Sequence, residues 1–285
     1  MIKIAAGQKI DDSNFNTNTI KMNQNKELKI AVLIDADNIP YSNVKGMMEE
    51  IAKYGIPTTK RIYADWTKPN ANGWKSVLLE HAITPIQQYS YTVGKNSSDS
   101  AMIIDAMDLL YSDKVDGFCI VSSDSDFTRL AIRLRESGMN VIGMGEKKTP
   151  NSFIVACDRF IYIEVLQGAV KKKVTKTATN DTKKVVEKGT PEKEIVEKEV
   201  VQKIDLQTIE LIEATIEAIC DDDGWAFLGD VGNLIVKKKP EFDPRNYGYT
   251  KLTPLLKSLT DILEIDERDS DKKGIKHVFV RLKFS

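Results

Sequence analysis

Six short apolar runs, rich in β-branched residues, recur along the first 165 residues. They read KIAVLI at 29–34, TTKRIYAD at 58–65, TPIQQYS at 84–90, GFCIVSS at 117–123, NVIGMG at 140–145 and RFIYIEV at 159–165. Runs of this length, bounded by turns or acids, suit buried strands better than helices. The segments between several of them have helical spacing. Tyr41 to Tyr54 follows Pro40, a favoured first-turn residue; Ser98 to Tyr111 follows a Ser/Asn-rich cap; Asp126 to Ser137 runs into Gly138, a natural stop. Strand and helix alternating in this way predict an α/β fold with a mostly parallel sheet flanked by helices.

The chain has 285 residues, more than one average domain needs. Its texture changes twice. Residues 1–27 are polar and Asn/Lys-rich, without the apolar core of a signal peptide, and read as a weakly ordered tail. Residues 28–167 hold the α/β pattern. Residues 168–203 are rich in Lys, Glu, Thr and Val and read as a solvated linker. Residues 204–285 resume a compact pattern. Helical spacing is expected over Leu206 to Ile219, Leu228 to Lys238 and Thr250 to Leu259, followed by two alternating segments, ILEIDER and IKHVFVRL. Three helices and a hairpin predict a winged helix-turn-helix. No internal repeat is visible.

With a net charge of -1, no global positive field draws in nucleic acid, so any such contact needs local patches or metal ions. Three dispersed cysteines and two histidines, none at ligand spacing, argue against a disulfide framework, a zinc site and a histidine general base. No apolar stretch reaches membrane-spanning length, so the expectation is a cytoplasmic protein without a membrane partner.

Ligands of parallel α/β sheets bind beyond the carboxyl ends of the strands. Acids stand at those ends here: Asp35 and Asp37 in IDADN, Asp124 and Asp126 in SSDSDF, and Asp99 at the start of the helix after GKNSS. If the first and fourth strands are neighbours, Asp35, Asp99, Asp124 and Asp126 converge. Such a cluster needs a countercharge, and oxygen-only ligands favour Mg2+ or Mn2+ over zinc. Asn38 can hold a phosphate or the Asp35 carboxylate through its amide. Simpler roles compete: Asp126 as a helix N-cap, Asp37 as a turn residue pointing away, and Asp105 and Asp108 as surface or supporting acids. In the C-terminal segment Lys237, Lys238 and Lys239 close a helix where phosphates can meet them. Arg245, Tyr247, Tyr249 and Lys251 form a basic-aromatic strip suited to RNA, unless the tyrosines are core aromatics. Trp225 and Phe227 read as packing, and Lys272 and Lys273 as the tip of a wing.

These motifs carry a resemblance. LIDADNIP, RIYADW, GKNSSDSAMIIDAMDLL and IVSSDSDFTRLAIRLRESGMNVIGMG, in order between Leu28 and Leu166, resemble the NYN family, relatives of PIN-domain ribonucleases that include the bacterial LabA-like proteins. The resemblance implies a PIN-like fold and a magnesium- or manganese-dependent RNA-cleaving site at Asp35, Asn38, Asp99, Asp124 and Asp126. Asp37 stands where Gly or Glu often precedes the Asn. The segment from GWAFLGDVGNLIVKKKPEFDPRNYGYTKL onward resembles the OST-HTH or LOTUS domain, a winged helix of RNA-regulating proteins. The expected function is therefore a metal-dependent endoribonuclease targeted to RNA by its C-terminal domain. One alternative is a non-catalytic RNA-binding adaptor. A weaker one is a haloacid dehalogenase-like phosphohydrolase, which LIDADN echoes but Ile39 does not suit. A homo-oligomer, and a protein partner for the C-terminal domain, stay open.

Overall fold

The computed structural model describes residues 27–89, 97–166, 204–269 and 276–283. The linker expected over 168–203, the tail apart from Glu27, and the wing tip at Lys272 and Lys273 lie outside them. Six parallel strands form one sheet: β1 (Lys29–Asp35), β2 (Ile56–Ala64), β3 (Thr84–Gln87), β4 (Gly117–Val121), β5 (Asn140–Gly145) and β6 (Arg159–Tyr162), ordered β3-β2-β1-β4-β5-β6. Alternation along each strand divides the core. Ala31 and Leu33 of β1 join Phe118 and Ile120 of β4 on one face. Ile30, Val32 and Ile34 join Cys119 and Val121 on the other. Side chains of a strand point alternately to its two faces, so a run apolar at every position must be covered on both.

The covering helices are α1 (Val44–Ile51) and α2 (Asn72–Leu78) on one face, and α3 (Ser97–Tyr111), α4 (Thr128–Glu136) and α5 (Asn151–Ala156) on the other. This is the α/β, PIN-like architecture. The helices expected to begin at Tyr41 and Asp126 each open with a 3-10 turn, over Tyr41–Asn43 and Ser125–Phe127, before the α-helix proper. Gly138 stops α4 in the left-handed region at φ 80°, which only glycine adopts without penalty. The short α2 and α5 were not expected, because six or seven residues carry too few repeats for a period to stand out.

The C-terminal module contains α6 (Leu206–Ile219), β7 (Ala226–Phe227), α7 (Leu228–Lys238), α8 (Leu252–Lys257), β8 (Leu263–Asp269) and β9 (Lys276–Leu282). Its three-stranded antiparallel sheet has the order β7-β9-β8. Asp205 caps α6 by accepting from the Thr208 amide at 2.6 Å. Pro254 sits in the first turn of α8, where its missing N–H costs nothing. Ile212, Ile216, Val231, Ile235, Leu255, Leu256 and Val280 are fully buried in a core of their own. Among the described residues no helix is long and apolar enough to cross a membrane.

The two modules touch through hydrogen bonds. The Phe160 amide, on edge strand β6, donates to the Pro240 carbonyl at 2.9 Å. Arg245 donates to both Glu50 oxygens, at 2.8 and 2.9 Å, and to Asp243. Glu50 lies on the buried stripe of α1 with Val44, Met47 and Ile51. Burial pushes its carboxyl up, but hydrogen bonds from Arg245 and Lys53 outweigh that and bring it down to about 2. A carboxyl more acidic in the folded state stabilises the fold above its unfolded pKa, 4.5. That contribution disappears as pH falls from there toward about 2. In urea unfolding between pH 5 and pH 2, Glu50→Gln is therefore expected to flatten the acid-side loss of stability; an unaltered pH profile would show that Glu50 does not carry it.

Candidate metal centre

The sheet order reverses between β1 and β4. The chain moves from β1 outward to β3, then returns to the other side of β1 to lay down β4. Such a reversal opens a crevice beyond the strand ends. Asp35 is the last residue of β1, and Asp124 follows β4 by three residues. Helix α3 brings in Asp99 in its first turn. The adjacency on which convergence depends is therefore present.

The four acids are not equivalent. Asp99, Asp124 and Asp126 each offer a carboxylate oxygen, and these three atoms lie within 4.8 Å of one another. Asp99 is buried, Asp124 half-buried and Asp126 exposed. Burial, reinforced by the charges of Asp35, Asp124 and Asp126, pushes the Asp99 carboxyl up to about 6. Asp35 stands beside this group and is 1% exposed. Its Oδ2 accepts from Asn38 Nδ2 at 2.7 Å and from Ser122 Oγ at 2.8 Å, and its Oδ1 from the Asp37 amide at 3.1 Å. Burial still leaves its pKa above the ordinary carboxylate value, against the lowering effect of those bonds.

The cap expected of Asp126 falls to Asp124, whose Oδ1 accepts from the Asp126 amide at 2.9 Å. This turn fixes the first carboxylate and leaves the second exposed beside it. Asp105 is a supporting acid, binding Arg61 at 2.6 Å and the Tyr63 hydroxyl at 2.6 Å. Asp108 is exposed, and Asp65 closes a turn with Thr67 and accepts from Gln87 Nε2 of β3 at 3.1 Å.

Ser122 was missed in the sequence. It donates to Asp35 and accepts from the Asp124 amide at 3.1 Å, so one hydroxyl couples the two strand ends. The signal was a small hydroxyl residue directly after a fully buried strand. Gly145 guards its position: a Cβ there would lie 2.5 Å from the Ser122 carbonyl oxygen and 2.6 Å from Thr149 Oγ1. Backbone cannot yield as a flexible side chain does. Gly145→Ala is expected to destabilise the fold by about 1–3 kcal/mol through overpacking. Thermal unfolding checks this; an unshifted midpoint would mean that β4 and β5 separate without cost.

The seven C-terminal residues read as RNA contacts do not form one surface: Lys237, Arg245 and Lys251 line a common cleft, and the other four do not. Lys237 and Lys251 are exposed. Lys238 and Lys239 reach back to α6, donating to Thr215 and Thr208 hydroxyls at 3.2 and 3.0 Å. Tyr249 is half-buried against the core. Tyr247 is a core aromatic, 7% exposed, with its hydroxyl 3.0 Å from that of Thr208. Arg245 turns away from solvent toward Glu50 and Asp243, because two buried carboxylates outcompete water for its guanidinium. Glu50 and Asp243 were not anticipated, although an acid on the apolar stripe of α1 signals a buried partner.

The family profile for the NYN domain matches residues 29–164, and that for the OST-HTH/LOTUS domain matches residues 199–275. No curated protein matches the chain. Among solved structures, a protein of unknown function from Vibrio parahaemolyticus RIMD 2210633 is 21% identical, with 50% of this chain and 96% of its own covered and a TM-score of 0.42. An uncharacterized protein from Nitrosomonas europaea is 31% identical, with 35% of this chain and 94% of its own covered and a TM-score of 0.27. By its motifs, its sheet and both profiles, residues 29–164 match an NYN domain with a PIN-like α/β fold, and residues 199–275 match an OST-HTH/LOTUS domain.

Proposed function

We propose that this protein is a metal-dependent endoribonuclease that hydrolyses RNA phosphodiester bonds, with Asp35, Asn38, Asp99, Asp124 and Asp126 as its site and the C-terminal domain as an RNA-binding module. The observation that carries the reading is the group of three carboxylate oxygens within 4.8 Å at the reversal of a parallel sheet. The donor set fits Mg2+ or Mn2+: the group contains oxygen ligands alone, and burial together with the neighbouring carboxylate charges pushes the Asp99 carboxyl up to about 6, a repulsion that a hard divalent cation relieves. Asp99, Asp124 and Asp126 would hold the ion, with Asp35 adjoining them. When bound, such an ion stabilises charge on the phosphate and makes water more acidic.

The chain's own residues supply the rest. Asn38 and Ser122 clamp the buried Asp35 carboxylate, so its charge is held in one orientation beside the metal-binding group without reorganising. The Asp124 turn sets one carboxylate by a backbone bond and keeps it at the crevice. The exposed side of the group, at Asp126, is where an RNA phosphate enters.

The test is cleavage of single-stranded and structured RNA by the purified full chain in Mn2+, in Mg2+ and in EDTA. Cleavage restored by either ion and absent in EDTA is expected. RNA binding without cleavage in any of them would replace the enzyme with an RNA-binding adaptor. Ser122→Ala is expected to lower activity or metal affinity by about 10- to 100-fold, the usual cost of losing a residue that orients a metal-site carboxylate. Wild-type rates and metal titration in that variant would remove Ser122 from the mechanism.

A further inference from the structure

Where the two modules meet lies a cleft of about 950 Å³ with walls from both. The end of α1 and the start of β6 form one wall; α7, the turn before α8 and β9 form the other. Six cationic side chains line it: Lys53 and Arg159 from the NYN domain, and Lys237, Arg245, Lys251 and Lys276 from the C-terminal module. Among the described residues two carboxylates, Glu50 and Asp243, share that lining, and Arg245 covers both. Among the described residues Arg159, Lys237 and Lys251 have no carboxylate partner, and Arg159 instead lies over the Tyr54 ring, 5.2 Å from its centroid. The cleft is thus cationic on a chain whose net charge is -1. Phe227 stands in the same wall, 37% exposed, with its ring against His277 and Phe279.

Positive charge gathered in a concave surface repels itself and is relieved by a polyanion. An aromatic ring left at the mouth of such a groove offers a nucleobase a face to stack on. We propose that this cleft is a composite binding site for the backbone of single-stranded RNA, built jointly by the two domains; the choice of RNA rests on the function proposed above. The cleft is remote from the carboxylates. Arg159 opens β6, and Glu50, Lys53 and Tyr54 end the crossover from β1 to β2, so it lies where the strands begin. Asp35 and Asp124 lie where they finish, a strand length of about 20 Å away at the usual rise per residue. The cleft therefore anchors RNA at a distance from the bond that is cut, and in a cleavage assay its effect falls on KM.

The test is fluorescence anisotropy of a fluorescein-labelled single-stranded oligoribonucleotide with the full chain, in EDTA, over a series of KCl concentrations. Lys237→Ala with Lys251→Ala is expected to weaken binding roughly tenfold at low salt and to reduce the salt slope by about 1.4, or about 0.7 for each phosphate that is no longer neutralised. Arg159→Ala, in the other domain, is expected to reduce the slope by about 0.7, while Arg159→Lys keeps it. Unfolding midpoints separate these effects from misfolding. Unchanged affinity and slope in all variants would overturn the proposal and leave the cleft to a protein partner. Weakening confined to the Lys237 and Lys251 variants would overturn the joint site. Because EDTA suppresses turnover, failure of the full chain to cleave RNA would sink the nuclease reading while the cleft's affinity could still be measured.

Discussion

Replacing Asp124 with Asn is expected to lower metal-dependent RNA cleavage by about a hundredfold or more, since removing one charged ligand forfeits several kcal/mol of transition-state stabilisation. The substitution is well suited to the question. Asp124 caps the turn into α4 by accepting from the Asp126 amide, and Asn caps such a turn about as well as Asp. The fold should therefore survive. Removing one negative charge also relieves the repulsion that helps hold Asp99 up at about 6, so stability near neutral pH should hold or rise slightly. Single-turnover cleavage across a Mn2+ titration, with a thermal unfolding curve, separates the two effects. Full activity with unaltered metal dependence would take Asp124 out of the mechanism. Lost activity together with a lowered unfolding midpoint would instead mark it as a structural cap.

Arg245→Met should destabilise the protein by about 3 kcal/mol or more, the cost of leaving buried charge uncompensated. Glu50 and Asp243 are 3% and 6% exposed, and Arg245 is the cation that bridges them. Without it, Lys53 remains on Glu50 from the solvent side, while Asp243 keeps its bond from the backbone amide of residue 245. Two carboxylates then face each other across the contact between the domains. Adding Glu50→Gln to Arg245→Met removes one of them, and a substantial part of the loss should return, a coupling that a double-mutant cycle reads directly. Urea unfolding of the four proteins measures this. A loss for the single variant no larger than about 0.5 kcal/mol, typical of an exposed pair, would show that water already reaches the guanidinium.

Much of the fold was legible in the sequence. All six parallel strands were visible as short β-branched runs, most plainly β1, β4 and β5, because a strand buried on both faces cannot hide its composition. Helices α3, α4, α6 and α7 were visible from spacing and stop signals. The short α2, α5 and β7 were not, since each spans too few repeats of its period to stand out. At the site, Asp35 and Asp124 stood out by position after apolar runs. The division of labour among the acids did not, because it depends on which hydroxyls and amides reach which oxygen. Ser122 matters through a 2.8 Å bond to Asp35, 87 residues away in the chain, and a local 3.1 Å bond from the Asp124 amide. Arg245 looked like a surface group, and Tyr247 stayed open between an RNA contact and a core aromatic, because a Tyr or Arg in a polar segment has the same local pattern whether it faces water or a buried partner.

The order of strands and helices, the placing of acids after apolar runs and the change of texture between the two halves were determined by the sequence alone, because periodicity and composition act over a few neighbouring residues. The tertiary structure decided which side chains meet. It gathered Asp99, Asp124 and Asp126 into one group while Asn38 and Ser122 took Asp35. It also carried Arg245 to Glu50 across 195 residues of chain. Those choices follow from the competition of buried charges for a limited number of counter-ions and donors, which is settled only once the sheet has closed and water has left.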